Sequence, residues 1–74
     1  MKTSEAVRHI MCQKGMKVCQ MARMMGKTDR VVTDRLSQEN ISISKLDEML
    51  RTMDYKIAVI PSEFDIPEGG IEIE

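Results

Sequence analysis

Aromatic residues are almost absent from this chain of 74 residues, which contains no tryptophan and only Tyr55 and Phe64. A core must therefore be built from aliphatic side chains and from eight methionines, whose unbranched side chains fill irregular gaps between helices. No apolar run approaches the roughly 20 residues of a membrane-spanning helix. The first residues, MKTSEAVRHI, also lack the apolar stretch of a signal peptide. We therefore expect a cytoplasmic protein that folds as one small helical domain.

Cysteine is scarce as well. Cys12 and Cys19 lie on two different predicted helices, and the chain has a single histidine, His9. This arrangement matches no metal-ligand pattern, and we expect both thiols to be buried or half-buried, as free cysteines commonly are. No nucleophile and base occur together in a recognisable arrangement. The sequence therefore predicts neither an enzyme nor a bound cofactor or metal.

The chain also lacks an overall excess of charge, because its net charge is −1. That total hides an asymmetry between its two halves. Residues 1–36 hold eight basic and three acidic residues, a net +5, whereas residues 37–74 hold three basic and nine acidic residues, a net −6. The local field rather than the total charge decides whether a polyanion is attracted. Any nucleic-acid contact is therefore expected in the N-terminal half.

Apolar residues recur at helical spacing in four segments of the chain. The first predicted helix starts at a cap formed by Thr3 or Ser4 and stops at Gly15. The second stops at Gly26, since glycine readily adopts the positive φ that ends a helix. Ser44 is the predicted N-cap of the fourth helix. These signals indicate a mostly α domain.

The second and third predicted helices are joined by only three residues, Gly26-Lys27-Thr28. Thr28 is the predicted N-cap of a third helix over residues 28–37. Two helices joined so tightly must cross steeply, and the crossing requires a small residue, which Ala22 supplies.

A polar stripe runs along the third helix, separate from the apolar positions Val32 and Leu36. Such a stripe alone is most often a solvated helix face. The tight hinge and the basic half of the chain instead favour a helix that reads DNA, since an arginine can donate to both O6 and N7 of guanine. The stripe consists of Arg30, Thr33, Asp34 and Ser37, with Arg35 at its margin.

The β-branched run YKIAVIP at residues 55–61 predicts a C-terminal strand that ends at Pro61. A single strand has no partner within a helical domain, so we expect it to pair with a second copy of the chain or with the tail. Residues 62–74 form an acidic tail that is either flexible or folded back onto the strand. The predicted dimer-interface residues are Tyr55, Ile57, Val59 and Ile60.

Five short motifs in register make the chain resemble the Cro and lambda-repressor-like helix-turn-helix family, and in particular its short bacterial and mobile-element regulators. The resemblance covers residues 3–61 and implies four or five helices with a C-terminal strand, and binding to operator DNA as a homodimer. It divides the chain into a DNA-binding domain (1–54), a dimerising strand (55–61) and a tail (62–74). The motifs are KGM at 14–16, MARMMG at 21–26, VTDRL at 32–36, NISI at 40–43 and MDYKIAVIP at 53–61.

The predicted function is that of a sequence-specific DNA-binding regulator, acting as a repressor, with the helix 28–37 in the major groove of double-stranded DNA. Base contacts are assigned to Arg30, Thr33 and Asp34. Contacts to the DNA backbone, which set the register without reading the sequence, are assigned to Lys17, Gln20, Lys27, Thr28, Arg35, Ser42 and Lys45.

The alternative function is an antitoxin-like protein-interaction module whose strand and acidic tail bind a partner. Asp29 and Asp34 favour this alternative, because an aspartate close to phosphates is repelled. It is also favoured by Val18, which stands near the start of the second helix where the family usually has a phosphate-binding glutamine.

Overall fold

The structure, a computed structural model, describes residues 1–74 as four helices followed by a segment without regular secondary structure. The prediction of a mostly α fold is confirmed, although the fourth helix begins after Ser42 and not after Ser44. None of the helices has the length and apolar character needed to cross a membrane. The helices are α1 (Thr3–Lys14), α2 (Val18–Met25), α3 (Asp29–Leu36) and α4 (Ile43–Arg51).

The turn between α2 and α3 depends on Gly26, which has a φ of 68°. A left-handed backbone costs other residues about 1–2 kcal/mol, so glycine allows the chain to leave the helix at this point. Lys27 then donates its N–H to the carbonyl oxygen of Ala22 over 2.9 Å, which satisfies a carbonyl of the last turn. Ala22 itself is buried at the crossing of the two helices, as predicted.

The core contains aliphatic residues and methionines and no aromatic side chain, as the composition predicts. Met21, Met49 and Met53 are among its most buried members. Burial of a side chain of this size contributes about 1.5–3 kcal/mol. The core cluster comprises Val7, Ile10, Met11, Met21, Ala22, Val32, Leu36, Ile41, Leu46, Met49, Leu50 and Met53.

Thr3 and Ser4 do not cap α1, since the residue at the N-cap position is Lys2. Their hydroxyl groups instead hold the loop between α3 and α4. Ile41 donates its backbone N–H to Thr3 Oγ1 over 2.6 Å, and the Ser4 hydroxyl donates to the carbonyl oxygen of Glu39 over 3.0 Å. Hydrogen bonds therefore join this loop to the start of α1. The hydroxyl groups of the buried Thr3 and Ser4 side chains both have a hydrogen-bond partner.

The predicted burial of the two cysteines is wrong, because Cys12 and Cys19 are both exposed. Cys12 directly follows Met11, which belongs to the core, and Cys19 directly follows Val18, which packs against it. A step of one residue turns a helical side chain by about 100°, which moves both thiols off the buried face.

The predicted strand over residues 55–61 is also wrong, because the structure contains no strand. The N–H of Tyr55 donates to the carbonyl oxygen of Leu50 over 3.0 Å, and residues 56–60 take part in no backbone hydrogen bond. A strand requires a hydrogen-bonded neighbour, and no segment of this chain supplies one. The β-branched composition alone is therefore not sufficient to form a strand here.

The tail is folded back onto the helices. The Tyr55 hydroxyl donates to the carbonyl oxygen of Gly69 over 3.3 Å, and Ile71 packs half-buried against the core. At the end of the chain, Glu74 donates its N–H to the carbonyl oxygen of Met1 over 3.0 Å. The tail thus lies against α1 and α4, whose side chains share a cleft with it.

Candidate nucleic-acid interface

Side chains of α1 and α4 contact the last turn of α3 and the turn that precedes the helix. Arg8 of α1 donates to the carbonyl oxygen of Leu36 over 3.2 Å, which satisfies a carbonyl group in the last turn of α3. Glu48 of α4 accepts a hydrogen bond of 2.6 Å from Arg35 Nη1. The same carboxylate lies 3.7 Å from Nζ of Lys27, in the turn before α3. These contacts fix the inner side of α3 and leave its outer face in solvent.

Glu48 is a positioning residue that the sequence analysis missed. The hydrogen bond from Arg35 is the main cause that lowers the pKa of Glu48, and it outweighs the opposing effect of desolvation. The positive charge of Lys27 lowers the pKa further. No local sequence signal marks this residue, because only the packing of α4 brings it between the two cations.

Arg35 does not lie on the outer face of α3. Its side chain is only 10% exposed, and its guanidinium group pairs with Glu48. Its Nε atom is buried without a hydrogen-bond partner, which offsets part of the stabilisation that the pair contributes. A guanidinium group held in this way is not available to a phosphate. The structure therefore favours a structural role for Arg35 over the predicted contact to the DNA backbone.

The three residues predicted to contact bases share the exposed face of α3. Arg30 is 88% exposed, and its Nε lies 3.7 Å from Asp34 Oδ2. The Thr33 hydroxyl donates to the carbonyl oxygen of Asp29 over 3.0 Å, which leaves its lone pairs free to accept. An exposed ion pair one helical turn apart contributes only about 0.3–0.5 kcal/mol. The Asp34 carboxylate therefore orients the Arg30 side chain without fixing it in one position.

The start of α2 presents Lys17 and Gln20, both of which are exposed. The backbone N–H of Lys17 donates to Gln20 Oε1 over 2.7 Å. Because this bond occupies the amide oxygen, the amide NH₂ group of Gln20 is left to donate outwards. Thr28 occupies the N-cap position of α3 without a side-chain capping bond, so its hydroxyl group is also free.

The remaining predicted backbone contacts, Ser42 and Lys45, lie exposed at the start of α4. Arg23 is a further exposed cation, on α2, that the sequence analysis did not select. It follows Gln20 by three residues, and this spacing puts both side chains on one side of the helix. Neither Arg23 nor Lys45 forms an ion pair within the chain.

Some of the basic residues in the N-terminal half, residues 1–36, already have partners within the chain. Fewer of them are free to bind a polyanion than the composition indicates. Arg8 and Arg35 make internal contacts, and Lys2 lies 3.4 Å from Glu39. Attraction to a polyanion would therefore depend mainly on Lys14, Lys17 and Arg23, which form no ion pair, together with the loosely paired cations of the turn and of α3.

The four predicted dimer-interface residues do not form one exposed strip. Tyr55 is half-buried against the core, and Ile57 and Ile60 line the cleft beneath the tail. Val59 is 99% exposed. A dimer contact through this segment would therefore centre on Val59.

Comparison with known proteins found no matching family model, and it found neither a curated protein nor a solved structure similar to this chain. The fold itself is a small all-α domain of four helices in which a three-residue turn joins α2 to α3. The functional assignment therefore depends on the geometry of the chain.

Proposed function

We propose that this protein is a DNA-binding regulator of the helix-turn-helix kind, which acts as a repressor in the cytoplasm by placing α3 in the major groove. The main support is the way α3 is held. Arg8 and Glu48 restrain its inner side, while Arg30, Thr33 and Asp34 project from its outer face. A helix is about 10–12 Å across with its side chains, which matches a major groove about 12 Å wide.

The proposed roles follow from exposure and from the free hydrogen-bonding groups. Arg30 reads a guanine through a bidentate contact, with Thr33 and Asp34 as further base contacts. The groups that bind phosphates and set the register are Lys17, Gln20, Arg23, Lys27, Thr28, Ser42 and Lys45.

A homodimer remains part of this proposal, because two copies of α3 would reach half-sites about one DNA turn apart. The contact we propose centres on Val59, whose exposed side chain a second copy would cover. Light scattering on the parent protein and on Val59→Asp tests this point. A parent that stays monomeric at tens of micromolar would rule the dimer out.

The test of DNA binding begins with a duplex of random sequence at low salt, because an electrostatic DNA binder shows non-specific affinity before its operator is known. Selection from a random library then supplies a preferred site. At that site, Arg30→Ala should cost about 1–3 kcal/mol and relax the specificity, as expected when a bidentate base contact is lost.

Arg51→Ala is the matched control for this experiment. Arg51 is an exposed arginine of α4 whose Nε lies 3.2 Å from Asp47 Oδ1, one helical turn away. The control therefore removes the same charge and the same kind of ion pair, and we expect little change in affinity. If Arg51→Ala and Arg30→Ala weaken binding equally, α3 is not the reading helix. Absence of binding to any duplex at low salt would reject the proposal.

The second candidate function, an antitoxin-like module that binds another protein, is favoured by the apolar cleft under the acidic tail. The cleft is lined by residues of α1, α4 and the C-terminal segment and by none from α2 or α3. The two functions therefore use different surfaces and can be tested separately.

A further inference from the structure

A cleft of about 490 Å³ lies between the helices and the C-terminal segment. Eleven of its fifteen lining residues are hydrophobic, among them Ala6 and Ile10 of α1 and Leu46 and Leu50 of α4. Its volume and apolar lining are typical of protein sites that accept apolar groups. The cleft thus offers an apolar surface that the chain itself does not fill.

The C-terminal wall of the cleft exposes several large aliphatic side chains. Ile57, Ile60, Ile66 and Ile73 line the cleft and remain between 37% and 44% exposed. An exposed apolar patch of this kind, with polar groups at its rim, marks an interaction surface more often than a solvated one.

The tail beside this cleft is acidic, and the cleft itself is lined by two charged residues, Glu72 and Lys56. Residues 62–74 contain five carboxylates and no basic residue, and only Glu74 forms an ion pair within the chain, with the amino group of Met1. The other four tail acids have no cationic partner. A ligand that combined apolar side chains with positive charges would therefore complement both the cleft and its rim.

A second copy of this chain fits the cleft poorly. A two-fold contact places the same patch of each copy against the other, so the acidic rims would meet and repel. The basic surface of a second copy offers only two large exposed apolar side chains, Met24 of α2 and Ile43 at the start of α4. An anionic membrane surface would repel the rim as well.

We propose that the cleft under the acidic tail binds a cationic amphipathic helix of another protein. The apolar side of such a helix, with anchors at i, i+3, i+4 and i+7, enters the cleft. Its lysines or arginines then face Glu72, which lines the cleft, and the tail acids Asp65 and Glu68, which are adjacent in sequence to the lining residues Ile66 and Pro67. This inference deepens the second proposed function, and it holds whether or not the chain binds DNA.

The test measures binding of the full chain, without DNA, to a labelled synthetic helix of leucine and lysine by fluorescence anisotropy. A peptide with glutamate in place of lysine is the charge control, and a scrambled peptide of the same composition is the shape control. We expect the leucine–lysine helix to bind at least about tenfold more tightly than either control, with an affinity that falls as salt rises.

Two variants of the chain locate the site. Ile66→Ser removes a cleft-lining side chain and should weaken binding about tenfold. Ile43→Ser makes the same change at an isoleucine of α4 that is 71% exposed and lies outside the cleft, and it should leave binding unchanged. Circular dichroism on both variants confirms that the helices are intact.

Two further variants, which remove negative charge, add an independent readout. The double variant Glu68→Gln/Glu72→Gln should weaken binding and reduce its salt dependence, whereas Asp29→Asn on α3 should do neither. Several results would overturn the proposal: equal binding of the glutamate peptide, equal losses in Ile66→Ser and Ile43→Ser, or binding of the chain to neutral phosphatidylcholine vesicles. Absence of peptide binding, combined with a dimer that Ile66→Ser dissociates, would assign the cleft to a second copy instead.

Discussion

The helical body, Thr3–Arg51, differs from the C-terminal segment, residues 55–74, in two respects. These are the hydrogen bonding of the backbone and the burial of the apolar side chains. In the body, the helices bond their own backbones and bury a shared core. In the segment, residues 56–60 have no backbone hydrogen bond, and most of the large apolar side chains of residues 57–73 remain exposed. The body therefore satisfies its own backbone and apolar groups, while the segment has surface left for another molecule.

The largest expected effect is on the free energy of unfolding, and it is tested by comparing a buried and an exposed methionine of α2. Met21→Ala should lower the free energy of unfolding by about 2–5 kcal/mol, because Met21 is fully buried and its loss leaves a cavity. Met24 is 60% exposed, and Met24→Ala should change stability by no more than about 0.5 kcal/mol. Urea unfolding of both variants is the measurement. Equal destabilisation would contradict the core described above.

A smaller effect concerns the carboxylate that holds α3 in place. The pKa of Glu48 is lowered from its ordinary value of 4.5, chiefly by the hydrogen bond from Arg35. A lowered folded-state pKa means that this contact stabilises the protein above the ordinary pKa, and that the stabilisation is lost as the pH falls through the folded-state pKa. Glu48→Gln should therefore be less stable than the parent at neutral pH, and the two proteins should converge in acid.

Urea unfolding of the parent and of Glu48→Gln across this pH range provides the check. Glu63→Gln is the matched control, because Glu63 forms no ion pair within the chain. A stability difference between the parent and Glu48→Gln that stays constant with pH would show that the carboxylate is not held by Arg35 in solution.

The smallest effect tests whether the two regions influence each other through charge. No tail acid forms an ion pair with a cation of α2, the turn or α3. We therefore expect the tail to affect DNA binding through its long-range field, which salt screens over about 8–10 Å. Truncation after Pro61 should strengthen non-specific DNA binding by at most a few-fold at low salt.

This gain should fade as salt rises. A full-length variant with every tail acid replaced by its amide controls for the lost contact of Ile71 with the core. An effect of truncation that the amide variant does not reproduce, or that persists at high salt, would mean that the tail acts through structure and not through charge.

The helices could be predicted from the sequence because their signals are local. Gly26 ends α2 through its own backbone preference, and the alternation of Val32 and Leu36 with polar residues determines which face of α3 is buried. Arg35 shows where local reasoning ends. It stands three residues after Val32, at the edge of the buried face of α3. Whether its side chain is buried or exposed depends on Glu48, a residue of another helix.

The segment YKIAVI could not be assigned correctly from its residues, because a strand is a property of two segments and not of one. Its β-branched residues favour an extended backbone, but a ladder also needs a neighbour, and the tail packs against Tyr55 and the core without forming one. The fold of this segment therefore depends on tertiary contacts, which composition does not reveal.

The salt dependence of binding shows whether the face formed by α2, the turn and α3 contacts DNA. The slope of log K against log salt concentration counts the phosphates that the protein neutralises. Lys17→Ala should reduce the size of this slope by about one and weaken binding to all sequences alike. Lys56→Ala removes the same charge from the C-terminal segment and should leave the slope unchanged. Equal slopes for the parent and both variants, or a loss confined to Lys56→Ala, would contradict the account.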